Sequence, residues 1–462
     1  MHHESSAAHR GNRRRWVIGL VLALVILLAS PFLLLWYGSW SAGRRVEEQL
    51  RAIRAKQQPV TPVELNEFYA APAPDSDVTQ LILDALQPLT TPPFDLAAQP
   101  LPVVGRSEAL IPPPGQPWDE QEAVEQLLDQ FALSLKQFHQ ASRKNGGARF
   151  SVDFQQGLEM LLPHAQNLRS GVRLLTLEAH VRAHRGDPHG AAESILTMFS
   201  LADSLENEPV LISQLVRFGN RSLGYGLTHE LLPHVDFSDE DLHSLQLAVR
   251  AVDCREAIHR ALIGERVIGI HIFRNPSGEG VSSIQGALTG LIVGGSQDLS
   301  LYLSLVTRMI DAIERSWAEA RDAEIEVDTK VKEVAASKLG SMRHIMTMLF
   351  LPALSQVSRS GARGEAKQNG TDIAIAIERF RRKHGRLPEN LDALVPDFLE
   401  KVPLDPFDDR PMRFKSADGV ILIYSVGADG IDNGGVEDAG KAEPDIVIQV
   451  GKPSPANLEP PE

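Results

Sequence analysis

The sequence predicts a mainly α-helical protein with one transmembrane helix near the N-terminus and a small α+β module near the C-terminus. Three observations carry this prediction. Residues 16–43 are uncharged, apolar side chains recur every three or four residues through the middle, and two short β-rich runs lie at 420–426 and 445–450. The middle of the chain is therefore expected to fold as an irregular antiparallel helical bundle.

The overall charge excludes nucleic acid as a principal partner. The 462 residues carry a formal net charge of −14, whereas binding to phosphates needs a dense basic surface. The single cysteine, Cys254, cannot form an internal disulfide. The fold therefore has to be held together by its packed core.

The N-terminal apolar run has the features of a membrane span. Residues 17–35 are almost wholly apolar and long enough to cross a hydrocarbon layer of about 30 Å. Trp16 precedes this run and Trp40 follows it, where interfacial aromatic residues are expected. We predict a transmembrane helix over residues 16–40. The alternative is a signal peptide cleaved near Ala42, with an apolar region longer than the usual ~7–15 residues.

The orientation of the span follows from its flanks. Arginines lie on both sides, but the short arginine-rich tail of residues 1–15 is hard to translocate and should stay in the cytoplasm. The bulk of the chain then faces the other side, which in a bacterium is the periplasm. We therefore expect a single-pass protein of the bacterial inner (cytoplasmic) membrane.

Between the span and the bundle, residues 41–118 are expected to form a juxtamembrane helix and then a proline-rich stem. The stretch 86–117 contains TPPF, QPLP and IPPPGQP. Because proline lacks a backbone N–H donor, this composition favours an extended linker over a regular element.

The helical domain is predicted over residues 119–339. Its first helix shows an apolar stripe at Val124, Leu127, Leu128, Phe131, Leu135 and Phe138. Further helices are expected at about 168–185, 189–206, 209–232, 297–335 and 340–384. Gly186 should end one helix and Asp187 should cap the next, with Pro188 in its first turn. Ser238 with Asp241 predicts another helix start.

The C-terminal region carries an ordered set of motifs. FRRKHGRLP at the end of a helix is followed by LDPFDD, then by YSVGADG next to a strand, and finally by DIVIQV. In this order, residues 340–450 resemble the C-terminal region of the type II secretion major pseudopilin. The resemblance implies a helix packed on a small antiparallel sheet. No prepilin peptidase site precedes Ile345, so we expect a pseudopilin-like module at the end of a different protein, followed by a disordered tail at 451–462.

The loop after GADG is a candidate calcium site. Calcium prefers six to eight oxygen ligands, and aspartates cluster here among glycines that permit tight turns. The resemblance implies Asp429, the backbone carbonyl of Val426, and Asp438 and Asp445 before the last strand as ligands. The spacing of the aspartates in this loop adds Asp432 as a further candidate ligand. The alternative is a solvated acidic turn that binds no ion.

No set of residues in the sequence forms a catalytic motif. In HELLPH, His229 and His234 are five residues apart, whereas a zinc-protease helix needs four. Cys254 has His259 nearby but no third group to orient it. We therefore expect a membrane-anchored, non-enzymatic envelope scaffold or binding protein with a protein partner. The resemblance adds an association with a type II secretion or pilus-like system.

The alternative function is an envelope hydrolase whose site is assembled from distant residues of the helical domain. A buried cluster of histidine and carboxylate in one pocket would favour the enzyme, whereas a broad exposed apolar groove would favour the scaffold.

Overall fold

The computed structural model describes residues 30, 38, 40–144, 146–275, 295–417, 420–436 and 444–450. Within these ranges, no helix is both long enough and apolar enough to cross a membrane. The expected span at 16–40, apart from residues 30, 38 and 40, lies outside the described residues, and so does the expected tail at 451–462.

The described chain is mainly helical. Its first helices are α1 (40–55), α2 (Pro62–Phe68), α3 (Thr79–Leu86), α4 (Pro92–Ala98), α5 (Gln121–Gln130), α6 (Ala132–Lys144), α7 (Pro163–His184) and α8 (Pro188–Asp203). They are followed by α9 (Leu211–Leu231), α10 (Asp239–Arg250), α11 (Cys254–Arg274), α12 (Ser296–Arg315), α13 (Trp317–Ala336), α14 (Lys338–Arg343), α15 (Ile345–Leu354) and α16 (Val357–His384). The strands are β1 (Arg413–Ala417), β2 (Val420–Ser425) and β3 (Ile446–Val450).

Two predicted helix boundaries are confirmed in atomic detail. Gly186 has a φ of +72° after the end of α7, and the Asp187 side chain accepts a hydrogen bond from the Gly190 amide at 2.9 Å to begin α8. Ser238 and Asp241 form a reciprocal capping box at the start of α10. These local signals place the helical hairpins of the body where the sequence predicts them.

The core has two main parts, which α16 joins. One contains α3–α10, the sheet and the C-terminal half of α16; the other contains α1, α11, α12, α13 and α15 with the N-terminal half of α16. Ile373, Ile375 and Ile377 are all fully buried, although Ile375 points to the opposite side of α16 from the other two. This helix therefore has apolar partners all around it.

The sheet is three-stranded and antiparallel, in the order β1-β2-β3. Ile423 pairs with Phe414 on one side and with Ile448 on the other. A Cβ on Gly370 would lie 2.3 Å from Ile448 Cδ1, so a glycine is needed where α16 meets β3. The prediction of a mainly helical protein with a small antiparallel sheet near the C-terminus is confirmed, and β1 adds a strand that the sequence analysis did not identify.

The proline-rich segment differs from the extended stem that its composition predicts. Pro92 begins helix α4, where its missing N–H costs no hydrogen bond. Leu89, Phe94 and Leu101 are buried in the same core as α7 and α8. Burial of these side chains outweighs the preference of proline for extended linkers, so this part of residues 41–118 is folded onto the body.

Two of the expected long helices are interrupted. The run 297–335 divides at Ser316, which is extended (φ −165°, ψ 163°) and whose side chain caps α13 by accepting from the Glu319 amide. The run 340–384 divides into α14, α15 and α16. Apolar periodicity continues across such breaks, and only the capping residue marks them.

Candidate functional site

A polar cleft of about 540 Å³ lies between helices α10, α11, α13 and α16 on one side and the loop before β1 on the other. The helical wall comprises Arg250, Arg255, Ser316, Trp317, Glu365, Asn369 and Asp372. The opposite wall is the loop before β1, with Glu400, Lys401, Pro403, Leu404, Asp405, Pro406 and Asp409. A cleft with several convergent polar groups is the usual form of a binding site.

Trp317 forms the floor of this cleft. It is the first residue of α13, and the break at Ser316 turns its side chain toward α16. A Cβ on Gly361 would lie 2.6 Å from the Trp317 ring, so a glycine is needed for the two helices to approach. The indole Nε1 donates to Glu365 Oε2 at 2.9 Å, which orients the carboxylate.

Two carboxylates in the cleft have perturbed acidity. Burial raises the pKa of Glu365, while Trp317 and Arg255 oppose the shift. Burial likewise raises the pKa of Asp372, opposed by its contacts with Arg250 and Gln246. Perturbed titratable groups in a cleft are typical of functional sites, although structural ion pairs show the same shifts.

The basic side chains of the helical wall are held in place by backbone carbonyls. Arg250 Nε donates to Asp372 Oδ2 at 2.8 Å, and its Nη2 donates to the Phe398 carbonyl at 3.1 Å. Arg255 Nη1 donates to the Arg315 carbonyl at 2.8 Å, so its guanidinium is positioned beside the cleft. The site therefore presents oriented charges of both signs.

The DPFDD turn forms the back of the opposite wall, and Asp405 holds it together. This carboxylate is fully buried. Its Oδ1 accepts from Ser425 Oγ (2.8 Å) and the Phe407 amide (3.0 Å), and its Oδ2 accepts from Arg413 Nη1 (2.7 Å) and the Val426 amide (2.9 Å). Four donors around one carboxylate fix the turn rigidly against the sheet.

A smaller cavity of about 40 Å³ shares Trp317 and Pro406 with the cleft. Its wall includes Glu324, which accepts from the Ser358 amide at 2.9 Å. Burial raises the pKa of Glu324, opposed by that hydrogen bond. Since the carboxylate is already engaged at the start of α16, we assign it a structural role.

The predicted calcium ligands fall into three different environments. Asp445 is buried and accepts from the Gly435 amide at 2.7 Å. Asp432 accepts from the Gly434 amide at 2.9 Å and lies 3.7 Å from Arg413. Exposed Asp429 accepts from the Ile431 amide at 3.0 Å. These contacts hold the loop through its own backbone.

Of the two remaining predicted ligands, one lies within the described residues. Val426 is buried next to the DPFDD turn, and its amide binds Asp405. Asp438 lies outside the described residues. In the part of the chain that the structure describes, no three histidine, cysteine, aspartate or glutamate residues converge as a metal-binding group. The calcium site stays a prediction.

Histidine and carboxylate do meet in the helical body, at two buried clusters. In the first, His139 Nε2 lies 2.8 Å from Glu178 Oε2 and its Nδ1 lies 2.9 Å from Thr197 Oγ1. Ser194 Oγ and Arg182 Nη2 each donate to Glu178 at 2.9 Å. The cluster ties α6, α7 and α8 together and satisfies their buried polar groups.

The second cluster lies around Glu208. His164 Nε2 is 2.9 Å from Glu208 Oε2, Tyr69 Oη donates to the same oxygen at 3.3 Å, and Ser213 Oγ donates to Oε1. Burial and the Glu208 carboxylate raise the pKa of Tyr69. Neither cluster contributes a wall residue to the two cavities described above. Within each cluster, the histidine and the carboxylate are bonded to each other.

His229 and Cys254, which form no catalytic motif in the sequence, are buried or bonded within the fold. His229 Nε2 lies 2.9 Å from Thr371 Oγ1, and burial lowers its pKa to about 4. Cys254 is buried, its thiol donates to Gln368 Oε1 at 3.6 Å, and burial raises its pKa to about 12. A protonated, buried thiol is a poor nucleophile.

The residues of the cleft were not identified from the sequence as a site. One signal was available: Ser316 and Glu319 match the S-x-x-E pattern of a capping box and mark the helix start that positions Trp317. Arg255 and Glu365, which line the cleft with Trp317, are over one hundred positions apart in the sequence, and only the tertiary fold brings them together.

No family model matches the chain, and comparisons with curated proteins and with solved structures find no similar protein.

Proposed function

We propose that this protein is a membrane-anchored, non-enzymatic binding protein of the bacterial envelope. Its cleft between helices α10, α11, α13 and α16 and the loop before β1 holds a polar segment of a partner protein. The observation that carries the proposal is the cleft itself: about 540 Å³, lined by both helical and C-terminal residues and by side chains of both charges.

The chemistry of the cleft favours a polypeptide ligand. Arg255 and Lys401 offer hydrogen-bond donors, whereas Glu365 and Asp409 offer acceptors. An extended peptide segment carries both kinds of group on its backbone and on charged side chains. Lys401 and Asp409 are exposed, so a partner can reach them without opening the fold.

The anchoring part of the proposal rests on the sequence. The apolar run at 17–35 and its flanking aromatic residues support a transmembrane helix, with the cleft on the periplasmic side. The order of the C-terminal motifs, which resembles the pseudopilin family, supports a component of a type II secretion or pilus-like system as the partner.

The test is site-specific photo-crosslinking of the full chain in intact cells. A photoreactive phenylalanine analogue replaces Glu400 at the rim of the cleft, and in a control it replaces Leu133, which is 68% exposed on α6. We expect a discrete cross-linked species from position 400 only. An Arg255→Gln change should weaken it, whereas Arg45→Gln, on the exposed side of α1, should not.

Two results would contradict the proposal. One is the absence of any cross-linked species from position 400 that position 133 lacks. The other is a species that forms equally well with Arg255→Gln, because Arg255 lines the cleft that the partner is proposed to occupy.

A further inference from the structure

Helix α15 has an apolar face without a partner among the described residues. On one side, Met346, Leu351 and Leu354 are buried against α12 and its neighbours. On the other side, Ile345 is 40% exposed and Leu349 is 63% exposed. These two residues are four apart, so they share one helix face.

This face continues without interruption to the end of the helix. Pro352 and Ala353, three and four residues after Leu349, are also exposed. The sequence of α15 is IMTMLFLPAL, which contains no charged residue. A contiguous exposed apolar face of this kind indicates an interaction surface.

The start of α15 lies close to the point where the described chain meets the expected span. A Cβ on Gly38 would lie 2.8 Å from Gln297 Nε2, in the first turn of α12. The next residue of that turn, Asp298, accepts from the Met346 amide at 3.1 Å. The beginnings of α1, α12 and α15 therefore meet at one end of the molecule.

The surroundings of α15 carry the charge that a bacterial membrane surface attracts. No acidic residue occurs between Glu333 and Glu365 in a chain whose net charge is −14. Lys338 and Arg343 are exposed immediately before α15. Basic side chains near a membrane surface are attracted to anionic lipid headgroups.

Trp40 adds an aromatic residue at the same end of the molecule. Its side chain is 49% exposed, and the Arg44 guanidinium lies 5.1 Å from the ring centroid. Tryptophan and arginine are both enriched where a protein meets the headgroup layer.

We propose that Ile345 and Leu349, on the exposed face of α15, insert into the headgroup layer of the bilayer that holds the N-terminal span. The protein thus has a second membrane contact, contributed by a helix some 300 residues downstream of the span. This inference rests on the proposed membrane anchor.

The dimensions of the helix fit this contact. Ten residues at ~1.5 Å each give about 15 Å, too short to cross the hydrocarbon layer. Leu349 lies ~6 Å along the axis from Ile345, comparable to the thickness of one headgroup layer, which is roughly 5–8 Å. Both side chains therefore fit within the depth of that layer.

The experiment uses the full chain with an environment-sensitive fluorophore at Leu349→Cys. The native thiol of Cys254 is buried and protonated, so the new cysteine is the reactive one. The protein is reconstituted into vesicles of phosphatidylethanolamine and phosphatidylglycerol, with and without lipids that carry a quencher at the top of the acyl chain, next to the headgroup. Leu133→Cys, at matched exposure (68% against 63%), is the control.

We expect the fluorophore at position 349 to be quenched several-fold more by the acyl-chain quencher than the fluorophore at position 133. A chain that floats with the vesicles but shows equal, weak quenching at both positions would overturn the inference and leave the anchor intact. Blue-shifted emission at position 349 without lipid quenching would also overturn it, because protein then covers the face. A chain that fails to float would instead contradict the anchor itself.

Discussion

The carboxylate of Asp298, in the first turn of α12, accepts a hydrogen bond from the backbone amide of Thr347, the third residue of α15, at 3.2 Å. The same side chain also binds the Met346 amide and the Thr347 hydroxyl. The first amides of a helix lack partners within the helix, so a carboxylate placed there is favourable. These contacts hold the start of α15 against the first turn of α12, where Gln297 lies next to Gly38 just before α1.

Asp298→Ala should destabilise the protein by roughly 2–4 kcal/mol, because it leaves two buried backbone amides without an acceptor. The Thr347 hydroxyl keeps the backbone carbonyl of residue 298 as its acceptor, at 3.1 Å. Urea unfolding of the full chain measures the effect. Asp298→Asn keeps one carbonyl acceptor and should lose less. Equal stability of the alanine variant and the parent would show that Asp298 does not hold α15.

The stability of Glu365→Gln, relative to that of the parent, should increase as pH rises. Burial raises the folded-state pKa of Glu365 above its ordinary value of 4.5, so the folded protein keeps this proton longer than the unfolded chain. The carboxyl therefore lowers the stability of the parent as pH rises from the unfolded-state pKa to the folded-state pKa. The loss is complete above the folded-state pKa. Glutamine still accepts from Trp317 but does not ionise.

The measurement is the urea midpoint of the parent and of Glu365→Gln from acidic to neutral pH. Glu319→Gln, at a half-exposed glutamate on α13, serves as the control. A difference between Glu365→Gln and the parent that is constant with pH, or that shrinks toward neutral pH, would contradict the assignment of a raised pKa.

His180→Leu should make the protein less sensitive to acid. Burial lowers the folded-state pKa of His180 from 6.5 to about 4, and its Nδ1 has no hydrogen-bond partner. Below pH 6.5 the unfolded chain takes up a proton that the folded protein excludes, so stability is lost as pH falls toward 4. Leucine removes this loss, which amounts to roughly 2–3 kcal/mol at the acidic end.

Thermal or urea unfolding of the parent and of His180→Leu over this pH range provides the comparison. The two stability curves should converge or cross toward neutral pH and separate in acid, with the variant above the parent. Parallel curves would mean that the imidazole is solvated in the folded protein, contrary to its 3% exposure.

Calcium should raise the melting temperature of the parent but not that of Asp429→Ala. Ligand at ~100 times its Kd stabilises a folded protein by about 2.7 kcal/mol. Asp75→Ala, at an exposed aspartate distant in sequence from the loop, should respond like the parent. No response to calcium in the parent, compared with chelator, would exclude the predicted site.

Asp445 should matter for stability whether or not calcium binds. Its carboxylate holds the Gly435 amide at 2.7 Å and is buried, so Asp445→Ala leaves a backbone donor without its partner. We expect a loss of roughly 1–3 kcal/mol in the presence of chelator. Destabilisation of Asp445→Ala only in the presence of calcium would instead mean that Asp445 acts solely as a ligand of the ion.

Much of the helical body could be predicted because its signals are local. Gly186, Asp187 and Ser238 act within one turn of the backbone, and their sequence patterns identify helix ends without any tertiary contact. In the first β-rich run, Ile421 and Ile423 are buried and Val420 and Leu422 are only half-buried, which is the two-residue period expected of a strand.

The folded proline-rich segment and the cleft could not be predicted in the same way. Proline is common both in the first turn of a helix and in extended linkers, so the sequence alone does not distinguish the two. The burial of Phe94 shows that Pro92 begins a helix packed on the core. In the cleft, Arg250 meets Asp372 and Trp317 meets Glu365 only because α16 packs against both parts of the core. Such long-range pairs leave no spacing pattern in a single sequence.

The measurement that tests the central claim most directly is the topology of the full chain in bacterial cells. Protease is added to intact cells, to spheroplasts and to lysed spheroplasts, and an N-terminal epitope tag is followed alongside the C-terminal module. The membrane fraction is also washed with carbonate.

A single-pass anchor at residues 16–40 predicts that the chain resists carbonate extraction and that protease removes the C-terminal module in spheroplasts, while the N-terminal tag stays protected until lysis. Release of the whole chain by carbonate, or protection of the C-terminal module until the spheroplasts are lysed, would contradict a membrane-anchored binding protein that faces the periplasm.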